Sequence, residues 1–79
     1  MAVLRLFAAA REAAGTGSVE IAAATVGELL TEARSCFGQE FADVLDSAKI
    51  WLDGEPTDDA APLDPSSEVA VLPPVSGGC

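Results

Sequence analysis

Histidine is absent from this 79-residue sequence. A Ser-His-Asp or Cys-His nucleophile pair therefore cannot form, and the commonest side-chain ligand of transition metals is missing. The chain also lacks a phosphate-binding loop ending in Gly-Lys-Ser or Gly-Lys-Thr, and it has no Gly-x-Gly-x-x-Gly run. We expect neither independent hydrolytic catalysis nor a bound metal. Any ATP used in the chemistry of this chain should be bound by a partner.

Basic residues are scarce in this chain. Four Lys and Arg stand against 13 Asp and Glu, which gives a formal net charge of -9. Such a charge repels the phosphates of nucleic acids and anionic membranes, so we expect neither as a partner. The net charge instead favours a protein partner with a basic surface.

Long apolar runs and closely spaced cysteines are also missing. No stretch of about twenty apolar residues could span a bilayer, and the N-terminus lacks the basic start and apolar run of a signal peptide. We therefore expect a cytoplasmic chain. Cys36 and Cys79 lie far apart and without metal-ligand spacing, which predicts neither a disulfide framework nor a zinc site. Cys36 is expected to be a reduced helix residue.

The sequence does contain enough apolar residues for one small domain. Hydrophobic residues make up 49% of the chain, but only one Trp and three Phe are aromatic, so the core must be built mainly from Val, Leu, Ile and Ala. A chain of this length buries roughly 60% of its unfolded surface. We expect no second domain and no enclosed cavity.

Two strand patterns stand near the N-terminus. Residues 2–7 and 18–21 alternate between apolar and other side chains, which predicts two strands. Residues 8–14 are rich in alanine and could form a short helix. Because Gly15-Thr16-Gly17 follows at once, we predict instead a longer loop between the strands.

A capping box marks the start of the main helix. Thr25 and Glu28 are spaced so that each side chain can bond a free backbone N–H of the first turn. Apolar residues then recur at steps of three and four as far as Phe37, and Gly38 stands at the C-cap position. A second, short helix is predicted over about residues 40–47.

Three further strands are predicted in the second half of the chain. Residues 49–53 alternate, the pair Asp53-Gly54 favours a hairpin turn, and a short return strand is expected over 55–57. Residues 58–67 read as a loop, and residues 68–72 as the last strand. This order predicts an α+β roll, a mixed sheet with one main helix on one face and with its first and last strands parallel.

Two aromatic residues are candidates for a protein interface. Trp51 alternates opposite Ile50 and Leu52, which places it on the sheet face without the helix. Phe7 has the same position in the first strand. Aromatic side chains on an uncovered face favour protein contact, and ordinary core packing is the alternative that the sequence leaves open.

Charged residues of the predicted loops also have two possible roles each. Arg11 is predicted in a loop beside Glu12, where it forms either a weak surface ion pair or a specific docking contact. Asp58 and Asp59 are adjacent acids in a turn-prone segment. We expect a solvated loop there, because a metal or acid–base site needs groups that converge from several elements.

The last residues carry the clearest chemical signal. Gly77 and Gly78 have no side chains to block a narrow channel, so this segment can thread into a buried active site and present a carboxylate there. Pro73 and Pro74 stiffen the approach and direct the tail away from the body. A frayed, solvated chain end is the alternative.

Three features together resemble a known family, the MoaD family within the MoaD/ThiS ubiquitin-like sulfur carriers. They are the order of elements, the segment Phe7-Ala8-x-x-Arg11-Glu12, and the ending Pro73-Pro74-Val75-Ser76-Gly77-Gly78. The two terminal segments carry the specificity, although the resemblance covers essentially the whole chain. It implies a ubiquitin-like β-grasp domain over residues 1–72 and a flexible tail over residues 73–79.

The resemblance implies a sulfur carrier, the small, non-catalytic subunit of molybdopterin synthase. A MoeB-like adenylating enzyme would use ATP to activate the carboxylate of Gly78, and a sulfur donor would convert the acyl-adenylate to a thiocarboxylate. The tail would then enter the large catalytic subunit, where the sulfur passes to a cyclic pterin precursor. This chain would bind no cofactor. Phe7 and Arg11 would lie in the partner interface, to which the alternation pattern adds Trp51.

Cys79 departs from the family pattern, in which Gly-Gly typically ends the chain. The carboxylate of Gly78 is here held in a peptide bond, so adenylation requires prior cleavage. We expect Cys79 to be removed by a JAMM-type zinc metalloprotease, as extra residues are in some relatives. A cloning remnant or a terminal thiol with its own role are the alternatives.

Other functions remain open on the sequence. The same fold and tail serve sulfur carriers for cysteine or thiamine biosynthesis, and removable residues after Gly78 favour that option. A ubiquitin-like modifier joined to protein lysines, or a noncovalent binding module, belongs to a different class. The segments 7–12 and 73–76 favour the synthase subunit.

Overall fold

A five-stranded sheet with three helices on one face forms the body of the chain. The computed structural model describes residues 1–73. The strands are β1 (Ala2–Leu6), β2 (Ser18–Ile21), β3 (Lys49–Leu52), β4 (Glu55–Pro56) and β5 (Glu68–Leu72), and the helices are α1 (Ala8–Ala14), α2 (Val26–Phe37) and α3 (Gln39–Ser47). The strand order is β2-β1-β5-β3-β4. This mixed sheet with helices on one face confirms the predicted α+β roll of the β-grasp type.

The two terminal strands are parallel neighbours at the centre of the sheet. Val3 pairs with Glu68, and the register continues to Leu6, which pairs with Val71. Parallel strands need a long crossover connection, and the chain between β1 and β5 supplies it. The predicted parallel pairing is confirmed, and all other neighbouring strands are antiparallel.

The core lies between the sheet and the helices. Alternation sends Leu4, Leu6, Val69 and Val71 to the same face of the sheet, where all four are buried. Each such burial stabilises the fold by about 1.5–3 kcal/mol. The helices complete the core with the buried residues Ala10, Val26, Leu29, Leu30, Ala33, Phe41 and Leu45. No helix within residues 1–73 is long and apolar enough to cross a membrane.

The segment predicted as a longer loop after β1 is a helix, so that prediction is wrong. Alanine has the highest helix propensity, and the buried Ala10 anchors α1 on the core. Gly15 ends the helix in a left-handed conformation, with φ of 79°, and its N–H donates to the carbonyl of Arg11 at 2.9 Å. The glycine that suggested a loop is therefore the C-cap of a helix.

The predicted main helix and its successor are both present. The backbone N–H of Glu28 donates to Oγ1 of Thr25 at 3.2 Å, and the Glu28 carboxylate accepts from the N–H of Ala24 at 3.3 Å, one residue earlier than the standard capping box. Gly38, with φ of 92°, separates α2 from α3. Cys36 is exposed on α2, so it is not buried with the other apolar residues of that helix, and it forms no disulfide within residues 1–73.

The predicted hairpin and the loop before β5 are also present. Asp53 and Gly54 have positive φ angles of 51° and 88° and join β3 to β4. The loop reaches back to the start of α2, where the carbonyl oxygens of Asp59 and Ala61 accept from the first backbone N–H groups of the helix at 2.9 and 3.0 Å. Tertiary contacts thus satisfy donors that the helix alone leaves unpaired.

Candidate partner-binding site

The predicted site begins where β1 and β5 end. Because Leu6 pairs with Val71 in a parallel register, Phe7, which follows β1, and Leu72, the last residue of β5, lie at the same end of the sheet. Pro73 follows Leu72 and is half-buried. The remaining predicted tail residues, Pro74, Val75, Ser76, Gly77, Gly78 and Cys79, lie outside the described residues.

Phe7 is exposed at this end of the sheet. Its backbone is extended, with φ of -129° and ψ of 152°, so it continues the alternation of β1 and points to the side of Arg5. The residue keeps 43% of its accessible surface, which is unusual for phenylalanine. The next residue, Ala8, has φ of 51° and turns the chain sharply into α1. Phe7 is therefore not packed in the core that residues 1–73 form, which was the alternative to an interface role.

Arg11 lies one helical turn after Phe7 on α1, not in the loop that the sequence predicted. Its backbone N–H donates to the carbonyl of Phe7 at 3.4 Å. Its side chain extends over Gly17, since a Cβ built on Gly17 would lie 3.6 Å from Nε of Arg11. In the part of the chain that the structure describes, the salt bridges are Arg5–Glu68 and Arg34–Asp46, both 3.3 Å. Arg11 therefore has no ion-pair partner there, and its guanidinium is exposed beside the end of the sheet.

Trp51 lies on the sheet face away from the helices, as predicted. We call this face the open face and define it by ten strand residues, none of which is buried: Val3, Arg5, Ser18, Glu20, Lys49, Trp51, Pro56, Glu68, Ala70 and Leu72. Trp51 is opposite Ala70 on one side and Pro56 on the other. Its neighbours in sequence, Ile50 and Leu52, pack against the core.

Lys49 is a residue of this region that the sequence reasoning did not single out. It is exposed and stands opposite Leu72, the last residue of β5. Together with Trp51, Ile50, Ala48, Pro56 and Thr57 it lines an open groove along β3. The alternation of β3 placed Lys49 on the face of Trp51, but only the pairing with β5 brings it next to the start of the tail.

The carboxylates of Asp58 and Asp64 accept hydrogen bonds within the loop before β5. Oδ1 of Asp58 accepts from the N–H of Ala60 at 3.0 Å, in agreement with the expected solvated loop. Hydrogen bonds from the hydroxyl and the N–H of Ser66, both 2.8 Å, lower the pKa of Asp64 below its ordinary value and close the turn before β5. Across residues 1–73, no three His, Cys, Asp or Glu side chains are grouped so that they could hold a metal ion.

Comparison with known proteins gives the family. The model of the ThiS family matches residues 4–78, which is nearly the whole sequence and includes both segments of the resemblance. The chain belongs to the ThiS family. The expected membership in the MoaD/ThiS ubiquitin-like sulfur carriers is thereby confirmed, and no curated protein has a significant sequence match to this ThiS-family chain.

Solved structures support the same grouping. Small archaeal modifier protein 1 of Haloferax volcanii is 28% identical, with a TM-score of 0.87 and coverage of 98% of both chains. A protein described as molybdopterin converting factor subunit 1, from Pyrococcus furiosus, is 25% identical, with a TM-score of 0.82 and coverage of 94% of this chain and 97% of that one.

A third structure has the same fold in a complex. It contains subunits 1 and 2 of the molybdopterin-converting factor of Helicobacter pylori, and the matched chain is 23% identical, with a TM-score of 0.73 and coverage of 98% of this chain and 97% of that one. At this identity the likeness concerns the β-grasp fold alone. That Phe7, Arg11 and Trp51 contact a partner protein stays a prediction.

Proposed function

We propose that this ThiS-family chain is the small subunit of molybdopterin synthase and donates sulfur from a thiocarboxylate on Gly78. An adenylating enzyme of the MoeB type joins the Gly78 carboxylate to AMP, with release of pyrophosphate from ATP. Sulfur at the oxidation level of sulfide, supplied by a sulfur donor, then attacks the acyl carbon and displaces AMP, which leaves the thiocarboxylate. In the large synthase subunit the sulfur passes to a cyclic pterin precursor.

The observation that carries this proposal is the pairing of two terminal segments across a parallel strand pair. Phe7 and Arg11 stand at the end of β1, and the segment that begins at Pro73 leaves from the adjacent end of β5. An exposed aromatic ring and an exposed guanidinium beside the start of the tail suit a partner that must take up the tail. The similarity to a molybdopterin converting factor subunit supports the choice of acceptor.

Processing after Gly78 is part of the proposal. Because Cys79 follows Gly78, the bond between them must be cleaved before the carboxylate can be adenylated. A JAMM-type zinc metalloprotease is the proposed agent. A variant that ends at Gly78 should need no protease, and it separates the cleavage step from the carrier chemistry.

The intact mass of the endogenous protein, together with its C-terminal peptide, tests this function. We expect loss of Cys79 and replacement of one oxygen by sulfur on Gly78 while the pathway is active. Gly78→Pro, made in the variant that ends at residue 78, should abolish thiocarboxylate and molybdopterin formation, whereas the unsubstituted variant retains both. Normal cofactor formation by the Pro variant would contradict the proposal.

A second function is favoured by one comparison. The similarity to small archaeal modifier protein 1 supports a modifier that is joined through Gly78 to lysines of other proteins. Isopeptide-linked Gly78 on cellular proteins would indicate the modifier. A thiocarboxylate that restores cysteine or thiamine formation, but not molybdopterin, would indicate a carrier for another acceptor.

A further inference from the structure

We propose that Lys49 is a specificity-determining contact on the open face. Its ammonium group pairs with a carboxylate of the adenylating enzyme, and Trp51 and Pro56 contact an apolar side chain next to that carboxylate. The enzyme's surface would therefore be apolar and locally acidic, although the net charge of this chain favours a basic partner. The inference rests on the proposed activation of Gly78 by such an enzyme.

The position of Lys49 is the first argument. It is the only lysine of the chain, and it is exposed at the first residue of β3. Its partner in the sheet is Leu72, from which the tail departs. An enzyme that takes up the tail approaches the end of β5, where Lys49 is the cross-strand neighbour of Leu72, whichever acceptor later receives the sulfur.

The second argument is the distribution of charge. On the open face two cations, Arg5 and Lys49, balance two acids, Glu20 and Glu68. The other eleven acids and two cations of the sequence lie elsewhere, so the whole net charge of -9 belongs to the rest of the molecule. The acidic character of the chain therefore does not describe this face.

The two cations of the open face differ in whether they already form a salt bridge within residues 1–73. Arg5 already pairs with Glu68, with 3.3 Å between Nη1 and Oε2. Lys49 forms no salt bridge with any residue between 1 and 73, which leaves its charge available to a partner. A complementary charge at an interface sets the partner choice and the association rate more than it sets affinity.

The third argument is the apolar surface beside Lys49. Trp51 is half-buried between Ala70 and Pro56, and the groove along β3 opens next to it. Tryptophan is among the residues that most often dominate binding energy at interfaces. A lysine at the rim of an apolar centre is complementary to a carboxylate at the rim of the partner's surface.

A second copy of this chain is a weaker candidate for the open face. Each copy carries a net charge of -9, so two copies repel each other at moderate ionic strength. The adenylating enzyme is favoured instead because the proposed chemistry requires it to reach Gly78 past Leu72 and Lys49. Dimerisation through Trp51, observed by sedimentation, would overturn the inference.

Charge reversal at two cations provides the experiment. We compare the chain ending at Gly78 with its Lys49→Glu and Arg34→Glu variants, using the adenylating enzyme of the same organism as the probe. Both changes alter the net charge equally, but Arg34 lies on α2 with Asp46, away from the open face. Lys49→Glu should weaken binding about tenfold, and Arg34→Glu by less than about threefold.

Kinetics and salt give a readout that a structural defect would not produce. In ATP–pyrophosphate exchange, Lys49→Glu should raise the KM for the carrier chain with little change in kcat, and Lys49→Arg should behave as the unsubstituted chain does. The difference between Lys49→Glu and the unsubstituted chain should shrink at high salt, because the screening length falls from about 8 Å at physiological ionic strength to about 3 Å at 1 M. Replacing the enzyme's carboxylate by lysine should restore binding of Lys49→Glu.

Three results would overturn the inference. Equal weakening by Lys49→Glu and Arg34→Glu would show an effect of net charge alone. Tighter binding of Lys49→Glu would show that the enzyme's surface is basic. No adenylation of the unsubstituted chain would remove the proposed function and the inference together, and that result is visible before any variant is compared.

Discussion

Ala8 has the backbone conformation that most constrains the candidate site. Its φ of 51° lies in the left-handed region, which costs a residue with a Cβ roughly 1–2 kcal/mol. This turn sends the chain from β1 directly into α1, so that the extended Phe7 remains exposed while the buried Ala10 reaches the core. Backbone strain next to an exposed aromatic residue is typical of functional positions.

Glycine substitutions at neighbouring alanines test the strain at Ala8. Ala8→Gly should raise the free energy of unfolding by about 0.5–1 kcal/mol, because glycine adopts positive φ without a steric penalty. Ala9→Gly, in the same helix, should lower it by a similar amount, since glycine has a lower helix propensity. Urea unfolding measures both changes. An equal loss of stability in the two variants would show that Ala8 is not strained.

At the start of α2, the backbone N–H groups of the first turn are satisfied partly by a local acceptor and partly by acceptors distant in sequence. Thr25 bonds the N–H of Glu28, as its spacing predicts. The N–H groups of Val26 and Gly27 instead donate to carbonyl oxygens of the loop before β5, at 3.0 and 2.9 Å. The loop therefore fixes the start of α2 and is itself fixed by it.

Removal of the Thr25 hydroxyl tests the local part of this cap. Thr25→Ala should lower the free energy of unfolding by about 1 kcal/mol, because the N–H of Glu28 loses its acceptor. Thr31→Ala makes the same change at an exposed position within α2 and should alter stability by less than about 0.5 kcal/mol. Thermal unfolding at constant pH compares the two. Similar losses would mean that the loop, not Thr25, holds the helix end.

For the molecule as a whole, the separation of charge from the open face is the dominant electrostatic feature. Six acids lie on the helices, where the cations are Arg11 and Arg34. Like charges confined to a small body repel one another and destabilise the compact state. The open face escapes this repulsion, and the apolar surface around Trp51 remains suited to protein contact.

Added salt should stabilise the fold. Between about 0.01 M and 0.15 M ionic strength the screening length falls from about 30 Å to about 8 Å, so the free energy of unfolding should rise over this range. Chemical unfolding at fixed pH measures it. The double variant Glu12→Gln and Glu32→Gln should be more stable at low salt and less sensitive to added salt. A stability that falls with salt would show that attractive pairs dominate.

Short-range patterns were sufficient for most of the elements. Three features depend only on residues that are close together in the chain: the alternation of β1 and β5, the Thr25 cap and the Asp53-Gly54 turn. They can therefore be predicted from short stretches of sequence. The same holds for Phe7 and Trp51 on the uncovered side of their strands. Local sterics and side-chain periodicity are enough to specify these features.

Long-range packing decided the rest. Residues 8–14 could be a loop or a helix by composition, and burial of Ala10 against the sheet selects the helix. Lys49 lies beside Leu72 only because two strands that are distant in sequence, β3 and β5, pair in one particular register. Pairing between distant strands depends on how the whole core closes, and no short window of sequence contains that information.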